Sequence, residues 1–238
     1  MSLIDGSMGL VQKAKSKDEF ATMICDIIAS SFQDCVRENG EFNIALSGGR
    51  TPLIVFEKLL DSDISVDWSL VNFFWLDERA VPIKDKQSNF GNAQRFFLDK
   101  IRYNNIYPMY DGLDIVNSVS EYRKTLDLQL KKSKSGFPVF DFILLGLGLD
   151  GHIASLFPNS LAVSEAVNPC VSVLDSPDNR PRITLTFPVI NNSKKNVFMV
   201  LGQDKINLLK NININNMTIP INNIDFINTN TSWIIGET

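Results

Sequence analysis

His152 is the only histidine among 238 residues, and it closes a glycine-rich turn, Gly146-Leu147-Gly148-Leu149-Asp150-Gly151-His152. Imidazole ionises at a pKa of about 6.5, so it is the side chain best matched to taking and returning a proton near neutral pH. Asp150, two residues earlier, is close enough in sequence to orient or charge-balance the ring. A lone histidine also serves as a structural residue, but a turn bracketed by glycines after an apolar run favours the chemical reading. With one histidine, a His-rich zinc site is excluded, and neither an H-E-x-x-H helix nor a cysteine cluster offers a substitute. Gly146 to Gly151 formally fits the G-x-G-x-x-G dinucleotide pattern. It falls after more than half of the chain and has no clearly placed acid downstream for a ribose, so it is read as a loop that brings backbone near a ligand and presents His152.

Three other features suit an anion. Ser47-Gly48-Gly49-Arg50-Thr51-Pro52 sets free backbone N–H groups where a strand turns into a helix, an arrangement that holds phosphate or that merely makes a tight turn. Asp77-Glu78-Arg79 is either a solvated loop or a guanidinium fork offered to an anion and steadied by the neighbouring acids. Arg180, Arg182, Lys194, Lys195 and Lys205 are spread through the last third. Arg182 opens an apolar run and Lys205 lies in the first turn of a helix after Gly202, which makes these two the better phosphate candidates.

The elements that must position these residues follow from periodicity. Helical spacing runs from Asp18 to Glu38 and stops at Asn39-Gly40, and further helices are predicted over Pro52–Leu60, Ser88–Leu98, Ile115–Leu130 and Gln203–Lys210. Short apolar strands are predicted at Phe42–Leu46, Leu70–Leu76, Phe140–Leu145, Val171–Leu174, Ile183–Thr186 and Val197–Leu201. Strands alternating with helices predict a mostly parallel α/β sheet, whose ligands bind beyond the carboxyl ends of the strands. The loops after Leu46, Leu76 and Leu145 then converge on one crevice, and His152 is expected where a helix begins. The asparagine-rich end is read as a folded edge with Ile219, Ile221, Ile224, Phe226 and Ile227 as apolar anchors and Trp233 buried.

Hydrophobic residues make up 44% and charged residues 21%, which excludes whole-chain disorder and fits one α/β domain over residues 1–238. Met8 is expected to be the natural start, with residues 1–7 added ahead of it. No apolar stretch approaches the roughly 20 residues of a membrane helix, and no secretory signal is present, so a cytoplasmic protein with no membrane partner is expected. A net charge of -4 gives no basic surface that recommends nucleic acid. Cys25, Cys35 and Cys170 lack metal-ligand spacing and are expected to be reduced, partly buried thiols.

The motifs in combination resemble the 6-phosphogluconolactonase family: Ser-Gly-Gly-x-Thr-Pro at 47–52, Asp-Glu-Arg-x-Val-Pro at 77–82, Ser-Asn-Phe at 88–90, Gly-Leu-Gly-x-Asp-Gly-His-x-Ala-Ser-Leu-Phe-Pro at 146–158, Arg-x-Thr-Leu-Thr at 182–186 and Gly-x-x-Lys at 202–205. They come in the family's order and span most of the chain. The resemblance implies a Rossmann-like, doubly wound α/β fold shared with the glucosamine-6-phosphate deaminases, no metal and no organic cofactor. It also implies hydrolysis of 6-phospho-D-glucono-1,5-lactone to 6-phospho-D-gluconate, the second step of the oxidative pentose phosphate pathway. On its pattern His152 is the catalytic histidine, Asp150 the aspartate of the same turn and Arg79 the motif arginine, all at the active site. Gly48, Gly49, Arg50, Thr51, Arg182 and Lys205 fall to the phosphate end of a small sugar phosphate. Ile153 stands where lactonases usually have threonine, but the Asn-Glu-Pro expected of a deaminase after the Gly-His-Ile-Ala turn is missing, and Asp-Glu-Arg replaces its Asp-Glu-Tyr.

Overall fold

Residues 8–61, 64–110, 112, 114–212 and 218–237 are described by a computed structural model. Seven strands pair side by side, all parallel: β1 (Leu10–Ala14), β2 (Phe42–Leu46), β3 (Val71–Trp75), β5 (Asn105–Tyr107), β6 (Phe142–Gly146), β9 (Asn196–Leu201) and β10 (Thr231–Gly236), in the order β1-β10-β9-β6-β2-β3-β5. A second, antiparallel sheet joins β4 (Asp77–Arg79), β8 (Arg182–Leu185) and β7 (Cys170–Val173) in the order β4-β8-β7. Helices α1 (Lys17–Asn39), α2 (Arg50–Asp61), α3 (Asn89–Phe96), α4 (Ile115–Gln129), α5 (Phe187–Ile190) and α6 (Gln203–Asn211) flank them. This is the mostly parallel, helix-flanked sheet that the alternating pattern predicts and the doubly wound, Rossmann-like architecture that the family resemblance implies.

Local sequence sets the boundaries. Ser16 caps α1 by accepting Glu19 N–H at 3.1 Å, and Gly40, in the left-handed region at φ 80°, ends it with its own N–H on Val36 O. Phe20, Ile24, Ile28 and Phe32 make the buried stripe between those caps. β2 and β3 are buried at every position, and β6 at all but Gly146, as strands covered on both faces must be.

The end of the chain differs from expectation. Trp233 is buried, stacks on Phe198 with ring centroids 4.2 Å apart and donates Nε1–H to Met8 O at 2.8 Å. Yet β10 is no edge: it lies inside the sheet between β1 and β9, because its Ser-Trp-Ile-Ile run can be buried on both faces. Ile221 and Ile224 are buried anchors, whereas Ile227 is 88% exposed and anchors nothing. The outer strands β1 and β5 escape periodicity because edge strands are half exposed, and β5 has only three residues. Residues 1–7 and Asn213, Asn215 and Asn216 lie outside the described residues. Among the described residues no helix is long and apolar enough to cross a membrane.

All three cysteines are free and buried. Loss of solvation pushes Cys25 and Cys35 up to about 12, and burial pushes Cys170 up as well. At pH 8 a thiol-specific chromogenic reagent should therefore leave the native protein unlabelled and react with three thiols after unfolding. Rapid reaction of any thiol in the native state would contradict this burial.

Candidate functional site

The sheet order reverses between β2 and β6. From β2 the chain winds outward through β3 and β5, then returns to β6 on the other side of β2 and continues through β9 to β10. Adjacent loops that leave in opposite directions open a crevice at such a point, and ligands of open α/β sheets bind there. A cleft of about 340 Å³ occupies it, lined by Gly48, Arg50, Thr51, Arg79, His152, Arg182 and Lys205 among others. The loops after β2, β3 and β6 thus converge as their positions after strand ends predict.

The histidine turn is built tightly. Gly148 N–H reaches His152 O at 2.8 Å and Gly151 N–H reaches Gly148 O at 3.1 Å, so the backbone folds back on itself. Gly151 takes φ 81°, and a Cβ there would stand 2.4 Å from Ile219 Cγ2. Asp150 Oδ1 accepts the His152 backbone N–H at 3.1 Å and contacts the ring Nδ1 at 2.5 Å. An ionised carboxylate can only accept, so the contact favours a proton on Nδ1, and in the neutral ring the lone pair then lies on Nε2. The ring also rests on Phe157, centroids 4.6 Å apart.

No helix begins at His152, contrary to expectation. Ala154 takes φ 52°, Ile153 bridges to Leu156, and the chain stays irregular until a 3-10 turn at Leu161–Ser164. An alanine in the left-handed region costs about 1–3 kcal/mol, and buried contacts of Ser155 hold it there: Ser155 N–H on Thr184 Oγ1 at 3.2 Å and Ser155 Oγ–H on Asp77 Oδ2 at 2.6 Å.

The facing wall is cationic. In the β4–β8 register Arg79 stands directly opposite Arg182. Like charges opposite each other destabilise a sheet unless an anion or acid comes between them. Arg182 has one such partner, Asp178 Oδ2 at 2.7 Å, and its guanidinium lies 5.2 Å from the Phe157 ring centre. The Nε atoms of Arg79 and Arg182 and the hydroxyl of Ser47 are buried with no hydrogen-bond partner among the described residues. Across the cleft, Arg50 and Lys205 stand at the starts of α2 and α6. Burial, reinforced by the Arg50 charge, holds the Lys205 ammonium below the ordinary lysine value. Lys194 and Lys195 lie elsewhere, bound to Asp141 and Asn230, and Arg180 does not line the cleft.

The acids beside Arg79 do not hold its fork. Arg79 Nη1 donates to Gln87 O at 2.8 Å and to Asn89 Oδ1 at 2.7 Å. Glu78 faces inward, 2% exposed, and accepts the N–H groups of Arg79, Asn89 and Phe90 and the Ser88 hydroxyl. Burial pushes its carboxyl up to about 7, against the pull of those N–H donors. Asn89 and Ser155 are residues that residue-by-residue reading missed, and Asp77, read as steadying Arg79, instead accepts from those two. All three sit inside the quoted motifs, but residue type alone does not reveal that their side chains face one another.

The fold and the cleft define a doubly wound α/β protein with a histidine–aspartate pair and four cationic side chains, Arg50, Arg79, Arg182 and Lys205, on one cleft. A family profile described as Glucosamine-6-phosphate isomerases/6-phosphogluconolactonase matches residues 15–233. Probable 6-phosphogluconolactonase 1 of Oryza sativa subsp. japonica is 35% identical over 207 residues, 82% of this chain and 69% of that one. The chloroplastic 6-phosphogluconolactonase 3 of Arabidopsis thaliana is 38% identical over 181 residues, 71% of this chain but 55% of that longer protein. The crystal structure of 6-phosphogluconolactonase from Thermotoga maritima superposes with a TM-score of 0.82 at 28% identity, covering 96% of this chain and 100% of that one. The chain belongs to the 6-phosphogluconolactonase family, a family of hydrolases.

A Cβ at Gly148 would fall 2.2 Å from His152 Nδ1 and 2.8 Å from Asp150 Oδ1. Gly148→Ala should therefore displace the ring from Asp150. Because the imidazole is single, its ¹⁵N shifts read the tautomer directly: Nδ1-protonated in the parent, mixed in the variant. Identical tautomer populations in both would contradict the contact.

Proposed function

We propose that this protein hydrolyses 6-phospho-D-glucono-1,5-lactone to 6-phospho-D-gluconate in the cytoplasm, as the second step of the oxidative pentose phosphate pathway. The observation that supports this reading is the 2.5 Å contact between His152 Nδ1 and Asp150 Oδ1 in a cleft lined by Arg79, Arg182 and Lys205, an arrangement suited to a neutral imidazole with Nε2 as its basic nitrogen. The lactone names of the curated relatives point to the same substrate.

The lactone carbonyl is already electrophilic and its ring oxygen is a tethered leaving group, so the reaction needs a water deprotonated as it attacks C1. His152 Nε2 takes that proton, and Asp150 balances the imidazolium that forms. Negative charge then develops on the former carbonyl oxygen, where the Arg79 guanidinium stabilises it. When the tetrahedral intermediate collapses, the protonated ring returns the proton to the departing ring oxygen. The phosphate is held by Arg182 and Lys205, with Arg50 and the backbone N–H groups of Gly48, Gly49 and Thr51 at the start of α2. No metal ion and no organic cofactor takes part in these steps.

The test is hydrolysis of freshly generated lactone, corrected for spontaneous opening. His152→Asn should lower kcat by about 10²–10⁴-fold and remove the acidic limb of the kcat/KM profile, with a smaller change in substrate affinity. In the same assay Lys205→Ala and Arg182→Ala should raise KM more for the phosphorylated lactone than for plain gluconolactone. A folded His152→Asn protein that works at the parent rate would make the histidine structural. Equal losses on both substrates would assign the two cations to the fold.

A further inference from the structure

Asn89 occupies a position where three loops of the cleft touch. Its Nδ2 donates to Asp77 O at 2.8 Å and Asp77 Oδ1 at 3.2 Å, its Oδ1 accepts Arg79 Nη1 at 2.7 Å, and its backbone N–H reaches Glu78 Oε1 at 2.8 Å. It is 3% exposed, and it fits only because residue 48 is glycine: a Cβ there would stand 1.7 Å from Asn89 Oδ1.

The chemistry of those partners selects the residue type. One side offers acceptors and needs a donor, while the other offers a guanidinium and needs an acceptor. A short primary amide satisfies both at once. An aspartate would set acceptor against acceptor at Asp77, and a glutamine carries one methylene too many for the space beside Gly48. The contact also bears on charge: Arg79 stands opposite Arg182 in register, Arg182 has Asp178 as its acid partner, and the Arg79 guanidinium is held on neutral acceptors only, Asn89 Oδ1 and the Gln87 carbonyl.

We infer that Asn89 is a positioning residue, which holds the Arg79 guanidinium on the cleft wall opposite Arg182 in register and so sets its place before an anionic ligand binds. This rests on the lactonase reading for its kinetic test, but not for its structural one. Preorganisation of this kind lowers the cost of binding and aligns the charge before the reaction begins.

A double-mutant cycle tests it. Asn89→Ala should lower kcat/KM for the lactone by about 10–100-fold, the worth of a hydrogen bond to a charged group. In an Arg79→Ala background the same change should cost less than about twofold, because the group it acts through is gone. Asn89→Ser, which keeps a polar side chain at the start of α3, serves as the second variant, and thermal melts establish that each protein is folded. A second readout needs no substrate: phenylglyoxal labelling of Arg79, followed by peptide mass spectrometry, should be faster in both Asn89 variants than in the parent. Losses that multiply in the two backgrounds, or labelling of Arg79 that does not change, would overturn the proposal. A parent protein without lactone hydrolysis would instead strike the functional reading, and the labelling result would then decide the role of Asn89.

Discussion

The carboxylate of Asp77 accepts Ser155 Oγ–H at 2.6 Å and Asn89 Nδ2–H at 3.2 Å, and it is 5% exposed. Ser155 belongs to the histidine turn and Asn89 to the helix that steadies Arg79, so one buried acceptor ties the base to the guanidinium across two different sheets. The parallel sheet can deliver loops to one edge, but it cannot fix the distance between a turn after β6 and a strand of the small sheet. Side-chain bonds buried from water do that, and they are strong because leaving any member unpaired carries the full cost of desolvation.

Around this bridge the cleft concentrates positive charge within a chain whose net charge is -4. Arg79 faces Arg182 in register, Lys205 is held below its ordinary ionisation value near Arg50, and several buried donors have no partner among the described residues. Each of these features costs stability. Such costs cluster where a fold is shaped for a ligand that relieves them. A sugar phosphate, the ligand proposed above, would bring negative charge to the cleft that Arg50, Arg79, Arg182 and Lys205 line.

Most of the interior was legible in the sequence. β2 matches its predicted span, α1 extends its predicted span by one residue at each end, and the loops after Leu46, Leu76 and Leu145 meet as the parallel pattern requires. Periodicity failed where burial is one-sided or short, at β1 and β5, and where an asparagine-rich approach disguised the interior strand β10. The helix expected at His152 is absent because Ala154 takes the left-handed region and the next residue, Ser155, is bonded to Asp77 and Thr184, residues far away in sequence. The same reason hid Asn89. Its role depends on a missing side chain at Gly48, a long-range fact that a local motif cannot state.

In the proposed reaction the cleft binds a phosphorylated aldonolactone with its carbonyl end at His152 and its phosphate among Arg182, Lys205 and the start of α2. A crystal structure of the protein with 6-phosphogluconate is the decisive test. The C1 carboxylate should lie within hydrogen-bond reach of His152 Nε2 and the Arg79 guanidinium, and the phosphate on Lys205 and Arg182. A phosphate bound against His152, or a ligand outside the crevice between β2 and β6, would contradict it.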